Sequence, residues 1–504
     1  MNFNRGIFNK IKRRLPLILT MSISLALAGC DSDSDNNTGY MQFYNLSATA
    51  PDIYLNVDQE DDDDFDDITY SGVAFTGITG RLEFDTDSYD LEFSWQDEYN
   101  SSDLEVILEQ ELTVKNDIVH FMVMTGDVNS PEITTYSLDV RDDDELDDDS
   151  DDELFNIRLL NMYADDSVDL YYSESDETFE EAVLISQAAY KEMSENQKYE
   201  QDDVIFYATL ANSDDVVFES TDISFSYAGE YIMVIRENTG TGSSPFVLDV
   251  VSTSSSTEYS DVNSESEYRV YNGIVENALL SVDTDYTDSL DFYIDESLVF
   301  SGLLFGEYSD IINTSSGDFG MTLKTPSGDQ IGDNNNYLLS LTENTSSTIF
   351  FYLLEEAVDE DNDGDVDENN DGDVDGYEYT INSLVVENSQ SESIYSHEVK
   401  VINLIDEDEI ADNFDYIQVY FVKSDETIEN ADQSIGAVFA TPSSITLLNN
   451  TYNVKVIGAQ GSSDILMSSQ TLTLDEDSKS KYLILEKDDS TVTGYKMTFT
   501  NQVD

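Results

Sequence analysis

Tyr40-Met41-Gln42-Phe43-Tyr44-Asn45 is a short β-forming run that closes on asparagine, and the chain returns to this opening three times. The returns are Asn156 to Asn161 (NIRLLN), Tyr268 to Asn272 (YRVYN) and Val399 to Asn403 (VKVIN). After a variable loop, each is followed by a strand-like run of period two: Asp52 to Val57, Ser167 to Tyr172, Ser289 to Ile294 and Tyr416 to Val422. In the first of these Ile53, Leu55 and Val57 alternate with Tyr54, Asn56 and Asp58, the pattern of a half-buried strand.

The echo continues inside each unit. Ser71-Gly72-Val73-Ala74-Phe75 matches Ser301-Gly302-Leu303-Leu304-Phe305 and Ile435-Gly436-Ala437-Val438-Phe439, with a diverged copy at Ile185 to Tyr190. Tyr89 to Phe93 returns as Tyr452 to Val456, and a closing hairpin is readable in Lys481 to Glu486 with Gly494 to Thr500. Units of roughly a hundred residues with six to eight short strands each imply an all-β chain: a tandem array of four Ig-like antiparallel β-sandwich domains. The sandwiches fall at 40–141, 154–252, 267–387 and 397–504. An acidic linker (142–153), a Ser-rich linker (253–266) and a third linker (388–396) separate them. The best helix candidate is Thr178 to Glu195, and acidic linkers that repel one another suggest an extended array.

The Asn-closed opening, the alternating strand after it and the Ser-Gly-Val-Ala-Phe step resemble the bacterial family called domain of unknown function 4397. That family occurs in tandem on secreted and lipid-anchored proteins. The resemblance implies a fold and a location and brings no catalytic motif.

The chain has 504 residues, of which 108 are acidic and 21 basic, for a formal net charge of −87. Nucleic acid and anionic lipid surfaces would repel such a body, and cations are its expected partners. Salt relieves self-repulsion by shortening the Debye length from about 8 Å at physiological ionic strength to about 3 Å at 1 M. With 39% hydrophobic residues, 31 Tyr and 24 Phe, the chain still has material for several cores.

The N-terminus carries Arg5, Lys10, Lys12, Arg13 and Arg14, then an apolar run from Leu15 to Leu27 ending in Ala28-Gly29-Cys30. This is the grammar of a secretory signal peptide (1–29), and the apolar run is shorter than the roughly 20 residues that cross a bilayer. Leu27-Ala28-Gly29-Cys30 resembles a bacterial lipobox, which implies lipidation of Cys30. Residues 30–39 then form a flexible tether. Asp31 after the cysteine leans the expectation to the outer membrane or cell surface. Cys30 is the only cysteine, so no disulfide is available.

Residues 359–378 read DEDNDGDVDENNDGDVDGYE. Asp367, Asn369, Asp371, Gly372 and Glu378 match the calcium-loop pattern D-x-[DN]-x-[DN]-G-x5-E, in which alternate oxygen ligands converge on one ion and the glycine permits the turn. Asp373 would offer its carbonyl and Asp375 a carboxylate, directly or through water. A preceding copy uses Asp359, Asp361, Asp363, the carbonyl of Asp365, and Asp367, and its twelfth position is Asn370. The loops resemble the calcium repeats of dockerins and thrombospondin type 3 segments, but their flanks, Ile349 to Leu354 and Tyr377 to Leu384, read as strands. A calcium loop inserted at a hairpin tip is the expectation.

His120 and His397 are the only histidines, and the spacing gives neither a nucleophile nor a metal partner. The chain has no P-loop, dinucleotide fingerprint, nucleophile elbow or zinc spacing. Acidic pairs are too abundant to point to a glycosidase, and Trp95, the lone tryptophan, falls at a core position of its strand. The expected protein is a non-enzymatic, lipid-anchored envelope protein, adhesive or structural, with surface glycan or protein as partner. A glycan- or peptide-capturing lipoprotein of an uptake system and a glycoside hydrolase are the other readings.

Overall fold

The structure, a computed structural model, describes residues 37–59, 65–96, 104–140, 154–226, 228–275, 286–287, 289–331, 336–357, 377–405, 414–488 and 490–503. The first unit has eight strands: β1 (Thr38–Asn45), β2 (Ile53–Asp58), β3 (Ile68–Val73), β4 (Leu82–Asp85), β5 (Ser88–Gln96), β6 (Leu104–Thr113), β7 (Ile118–Thr125) and β8 (Glu132–Asp139). They form two sheets, ordered β4-β1-β7-β8 and β3-β2-β5-β6. Phe43, Leu55, Leu91, Phe93, Trp95 and Met122 fill the space between them.

The three later units repeat this strand order, the second adding the short strands Ile223–Ser224 and Ser256–Tyr259. The chain is therefore the all-β array of four sandwiches that its repeats imply. One pairing per unit departs from the antiparallel expectation. β1 runs parallel to β7, and so do its counterparts: Leu154–Asn161 with Glu230–Glu237, Glu265–Asn272 with Ser346–Ala357, and Ser396–Asn403 with Lys481–Lys487.

Such a central parallel pair needs cover on both faces. β2 alternates between buried and half-buried as its sequence predicts, whereas β1 is buried along both faces of its last five residues. Met41 and Phe43 enter the sandwich core, while Tyr44 enters a second cluster shared with the next unit. The same division separates Leu159 from Leu160, Val270 from Tyr271, and Val401 from Ile402.

The asparagine that closes each opening strand is fully buried and hydrogen-bonded through both its amide nitrogen and its oxygen. Asn45 donates its amide to the Val73 carbonyl (3.0 Å) and accepts from the Ser47 N–H (3.0 Å). Asn161 does the same with Ala188 and Tyr163, Asn272 with Leu303 and Ile274, and Asn403 with Ala437 and Ile405. Each side chain thus fixes the exit of the first strand and ties the first sheet to the third strand in the opposite sheet. The backbone carbonyl of the same asparagine accepts from a residue held at positive φ in every unit: Thr76, Lys191, Gly306 or Ala440.

The repeated glycine step also has a local cause. Gly72 and Gly302 lie at φ 62° and 74°, beside register shifts between the second and third strands, where a side chain would be strained. Gly436, its counterpart in the fourth unit, is not among the positive-φ residues, so there the step is only a sequence echo.

Three expectations change. Thr178 to Glu195 is not a helix: residues 179–182 make single turns and Val183–Ala188 pairs with Val168–Glu174. The run Val183-Leu184-Ile185 favours a strand, and tertiary pairing decides it. The Ser-rich segment 253–266 contains the edge strand Ser256–Tyr259, which too little apolar content had concealed. Nor do the units hang apart, because their first sheets pack on one another in pairs.

Asn272→Ala leaves a buried carbonyl and a buried N–H without partners, at about 1–3 kcal/mol each, so the substitution is expected to cost about 3 kcal/mol. Urea unfolding of the full chain measures it, and an unchanged midpoint would show that the clamp does not hold the unit together.

Candidate functional site

The sequence-predicted calcium residues lie between the two longest strands of the third unit. Ser346–Ala357 pairs with Tyr377–Glu387 in continuous register from Ser347 opposite Glu387 to Ala357 opposite Tyr377. The hairpin that the flanks predict is therefore present, and the acidic insertion connects its two strands at the far end. Asp359, Asp361, Asp363, Asp365, Asp367, Asn369, Asp371, Asp373 and Asp375 lie outside the described residues, as does Cys30. Glu378 is placed by its backbone alone, opposite Glu356. Among the described residues no cluster of three or more His, Cys, Asp or Glu is set to hold a metal, and no helix is long and apolar enough to cross a membrane.

The hairpin is anchored on two sides. Ile349, Phe351 and Ile381 enter the core of the third unit, and Tyr337 Oη donates to the Ile381 carbonyl at 2.9 Å. Phe350 and Val386 face the other way, against Ile402, Tyr482 and Ile484 of the fourth unit.

That seam carries a buried carboxyl. Glu486 is 3% exposed; its Oε1 accepts from the Tyr271 hydroxyl at 2.7 Å, its Oε2 has no hydrogen-bond partner among the described residues, and the Lys496 ammonium stands 4.0 Å away. Burial is the main cause that raises its pKa above the ordinary carboxylate range. Arg269 closes the other side: its guanidinium donates to the Gln502 carbonyl at 2.8 Å and sits 4.2 Å from the Tyr308 ring centroid.

The seam between the first and second units is built alike. Tyr44, Val119, Phe121 and Val123 pack on Leu160, Ile232 and Val234. The Tyr44 hydroxyl donates to Asp249 at 2.5 Å, and Asp249 is also bound by the Arg236 guanidinium at 2.6 Å. Arg236 reaches Glu258 as well and stands 5.1 Å from the Phe75 ring centroid. Burial alone would lower the pKa of Arg236, but Asp249 and Glu258 outweigh it and the group stays charged. Burial beside Asp249 holds the Tyr44 hydroxyl protonated.

Two smaller junctions join the other units. Asn238 of the second unit and Asn344 of the third exchange amide hydrogen bonds of 3.0 and 2.9 Å. Between the first and fourth units, the Trp95 ring stacks on Tyr395 at 4.5 Å, and the Tyr395 hydroxyl donates to Asn129 at 2.8 Å. Trp95 is thus a core residue, as its strand position implies. Both histidines are buried and hydrogen-bonded within the fold: His120 Nε2 accepts from the Lys115 N–H at 3.2 Å, and His397 Nε2 lies 2.7 Å from Asn449 Oδ1. Burial lowers both imidazole pKa values.

Sequence reasoning missed the seam residues. Tyr44, Tyr271 and Glu486 sit in runs of consecutive buried residues, and this double burial is the one signal that marks them.

No family model matches the chain, and no curated protein does. Among solved structures, the Bacillus anthracis TIE protein is similar at 8% identity and a TM-score of 0.15, over 90% of this chain and 76% of that one. A putative adhesin from Bacteroides ovatus gives 10% identity and 0.14, over 45% and 98%. The streptococcal ancillary pilin gives 8% and 0.12, over 66% and 98%. Likeness at these scores carries no functional weight.

Because the folded pKa of Glu486 lies above its unfolded value, the folded chain binds the extra proton. This group's contribution is complete below about pH 4.3 and is lost as pH rises through the folded pKa. Glu486→Gln is therefore expected to gain stability relative to the parent as pH rises from 4 to 8. Paired melting curves at fixed ionic strength measure the difference, and a constant offset across that range would contradict it.

Proposed function

We propose that the chain is a lipid-anchored, non-enzymatic protein of the bacterial envelope, held at the outer membrane or cell surface, where it serves adhesion or envelope structure. The Leu27-Ala28-Gly29-Cys30 order carries the anchor, and two or three acyl chains at about 0.8 kcal/mol per buried methylene hold a protein on a membrane durably. The observation that carries the rest is the pairwise burial of the sandwiches. First sheets are used up in seams, so the second sheets, with their alternating exposed residues, form the presented surface.

Calcium at residues 359–378 fits this role as a brace. The insertion leaves from a hairpin whose base is pinned in both a core and a seam, and in a millimolar-calcium medium a site of about 10⁻⁴ to 10⁻³ M would be filled. The resemblance to the domain of unknown function 4397 belongs to the same proposal.

Two measurements test it. Cys30→Ala should move the protein from the membrane fraction to the soluble one, and a variant that stays membrane-bound through detergent-free washing would remove the anchor. The full chain should melt higher with calcium than with chelator at equal ionic strength. Asp367→Asn with Asp371→Asn and Glu378→Gln should abolish that difference, and equal melting of the parent in both conditions would reduce the insertion to a solvated acidic loop.

A further inference from the structure

The first and fourth sandwiches, from opposite ends of the chain, meet beside the Trp95–Tyr395 stack. Next to that contact opens a cavity of about 200 Å³, with Asp52, Tyr54 and Gln96 on one wall and Ser396, Lys423 and Gln433 on the other. Its frame is firm. The Ile394 N–H donates to the Thr49 carbonyl at 3.1 Å, and the Tyr452 hydroxyl, on the cavity's edge, donates to the Leu448 carbonyl at 2.8 Å.

Size and lining both restrict the occupant. At roughly 30 Å³ per water, the cavity holds about seven waters, and it is smaller than the roughly 300–1,000 Å³ usual for larger ligands. One small ring fits, and its polar atoms would replace those waters. The walls offer two phenol rings, two primary amides and two aliphatic hydroxyls, with one carboxylate and one ammonium that balance each other. Among the described residues neither the Tyr54 hydroxyl nor the Lys423 ammonium has a hydrogen-bond or ion-pair partner. For Lys423 this is notable in a chain with 108 acidic residues and 21 basic ones.

A net anion would be repelled on approach by a body of charge −87, and any net-charged ligand would upset the balance of Asp52 and Lys423. A neutral polyhydroxyl ring meets every condition. Its C–H face can lie on the Tyr54 ring, its vicinal hydroxyls can bridge amide and carboxylate oxygens, and the Lys423 ammonium can donate to a ring or hydroxyl oxygen.

We propose that this junction is a binding site for a neutral, monosaccharide-sized sugar unit, formed only where the first and fourth sandwiches meet. It goes beyond the anchored-envelope reading and depends on neither the lipid nor the calcium loop.

The protein supplies its own reporter, because its single tryptophan precedes Gln96 and stacks on the residue before Ser396. Full-length protein would be titrated with glucose, galactose, mannose and N-acetylglucosamine, and in parallel with glucuronate and glycine. Trp95 emission and calorimetric heat would be read at fixed ionic strength. A saturable change in both with at least one neutral sugar, in the millimolar range, is expected, weakened tenfold or more by Tyr54→Ala and by Gln433→Leu. Lys423→Met, which keeps the stem and removes the charge, serves as a third variant whose melting temperature checks that loss of binding is not loss of fold. Neither heat nor emission change with any of the four sugars would overturn the site. So would saturation by glucuronate or glycine alone, or affinity unchanged in all three variants.

Discussion

Each unit depends on one asparagine that is buried without being idle. Asn45, Asn161, Asn272 and Asn403 each satisfy a carbonyl from the opposite sheet and an N–H two residues ahead. A buried amide with a missing partner would cost more than an apolar residue there, so the site is selective for a group that can both donate and accept. Because the clamp sets the exit of the first strand, it also fixes which residues of that strand face the core. The residue before the asparagine is then obliged to face outwards, and in this chain it faces another unit.

That obligation reconciles a charge of −87 with close contact between units. Acidic side chains cover the outer surface, while the seams are apolar strips carrying a few charges with assigned partners. Asp249 has Arg236 and Tyr44, and the two seams use the same device, a tyrosine of the odd-numbered unit donating to a carboxyl of the even-numbered one. They differ in strength. Asp249 is balanced by a guanidinium, whereas Glu486 has only a phenol and a lysine 4.0 Å away, so the second seam is the one sensitive to pH. Repulsion between linkers gave the opposite expectation because it considers charge at a distance. Seam burial acts at contact, where salt screens least.

The fold class was legible because period-two alternation and the returning Asn-closed opening are local signals. The parallel pairing of the first and seventh strands was not, since nothing in a strand's own sequence names its neighbour. Nor was double burial: the apolar run of β7 reads equally well as a core strand or as a seam strand until its partner sheet is known. Among sites, the insertion between Ala357 and Tyr377 announced itself through composition, and its hairpin base is where the flanks put it. The cavity between Tyr54 and Lys423 gave no signal, because its walls are some 370 residues apart and each residue is unremarkable alone.

Placement of the acidic insertion then has a mechanical meaning. Ser346–Ala357 and Tyr377–Glu387 both serve the core, through Ile349, Phe351 and Ile381, the seam, through Phe350 and Val386, and the insertion, which leaves the end of one and enters the start of the other. A cation gathered at the far end would hold the two strands together where sandwich packing no longer does, since Leu353 and Leu354 are only half-buried. Order gained there would pass down a continuous antiparallel ladder into the seam with the fourth unit. The fourth unit in turn forms one wall of the cavity shared with the first. Contacts from the third unit to the fourth and from the fourth to the first thus link the hairpin to the cavity through packed strands rather than through a flexible linker, and each link is a named contact: Phe350 on Tyr482, Leu447 and Leu483 within the fourth core, and Leu448 against the first.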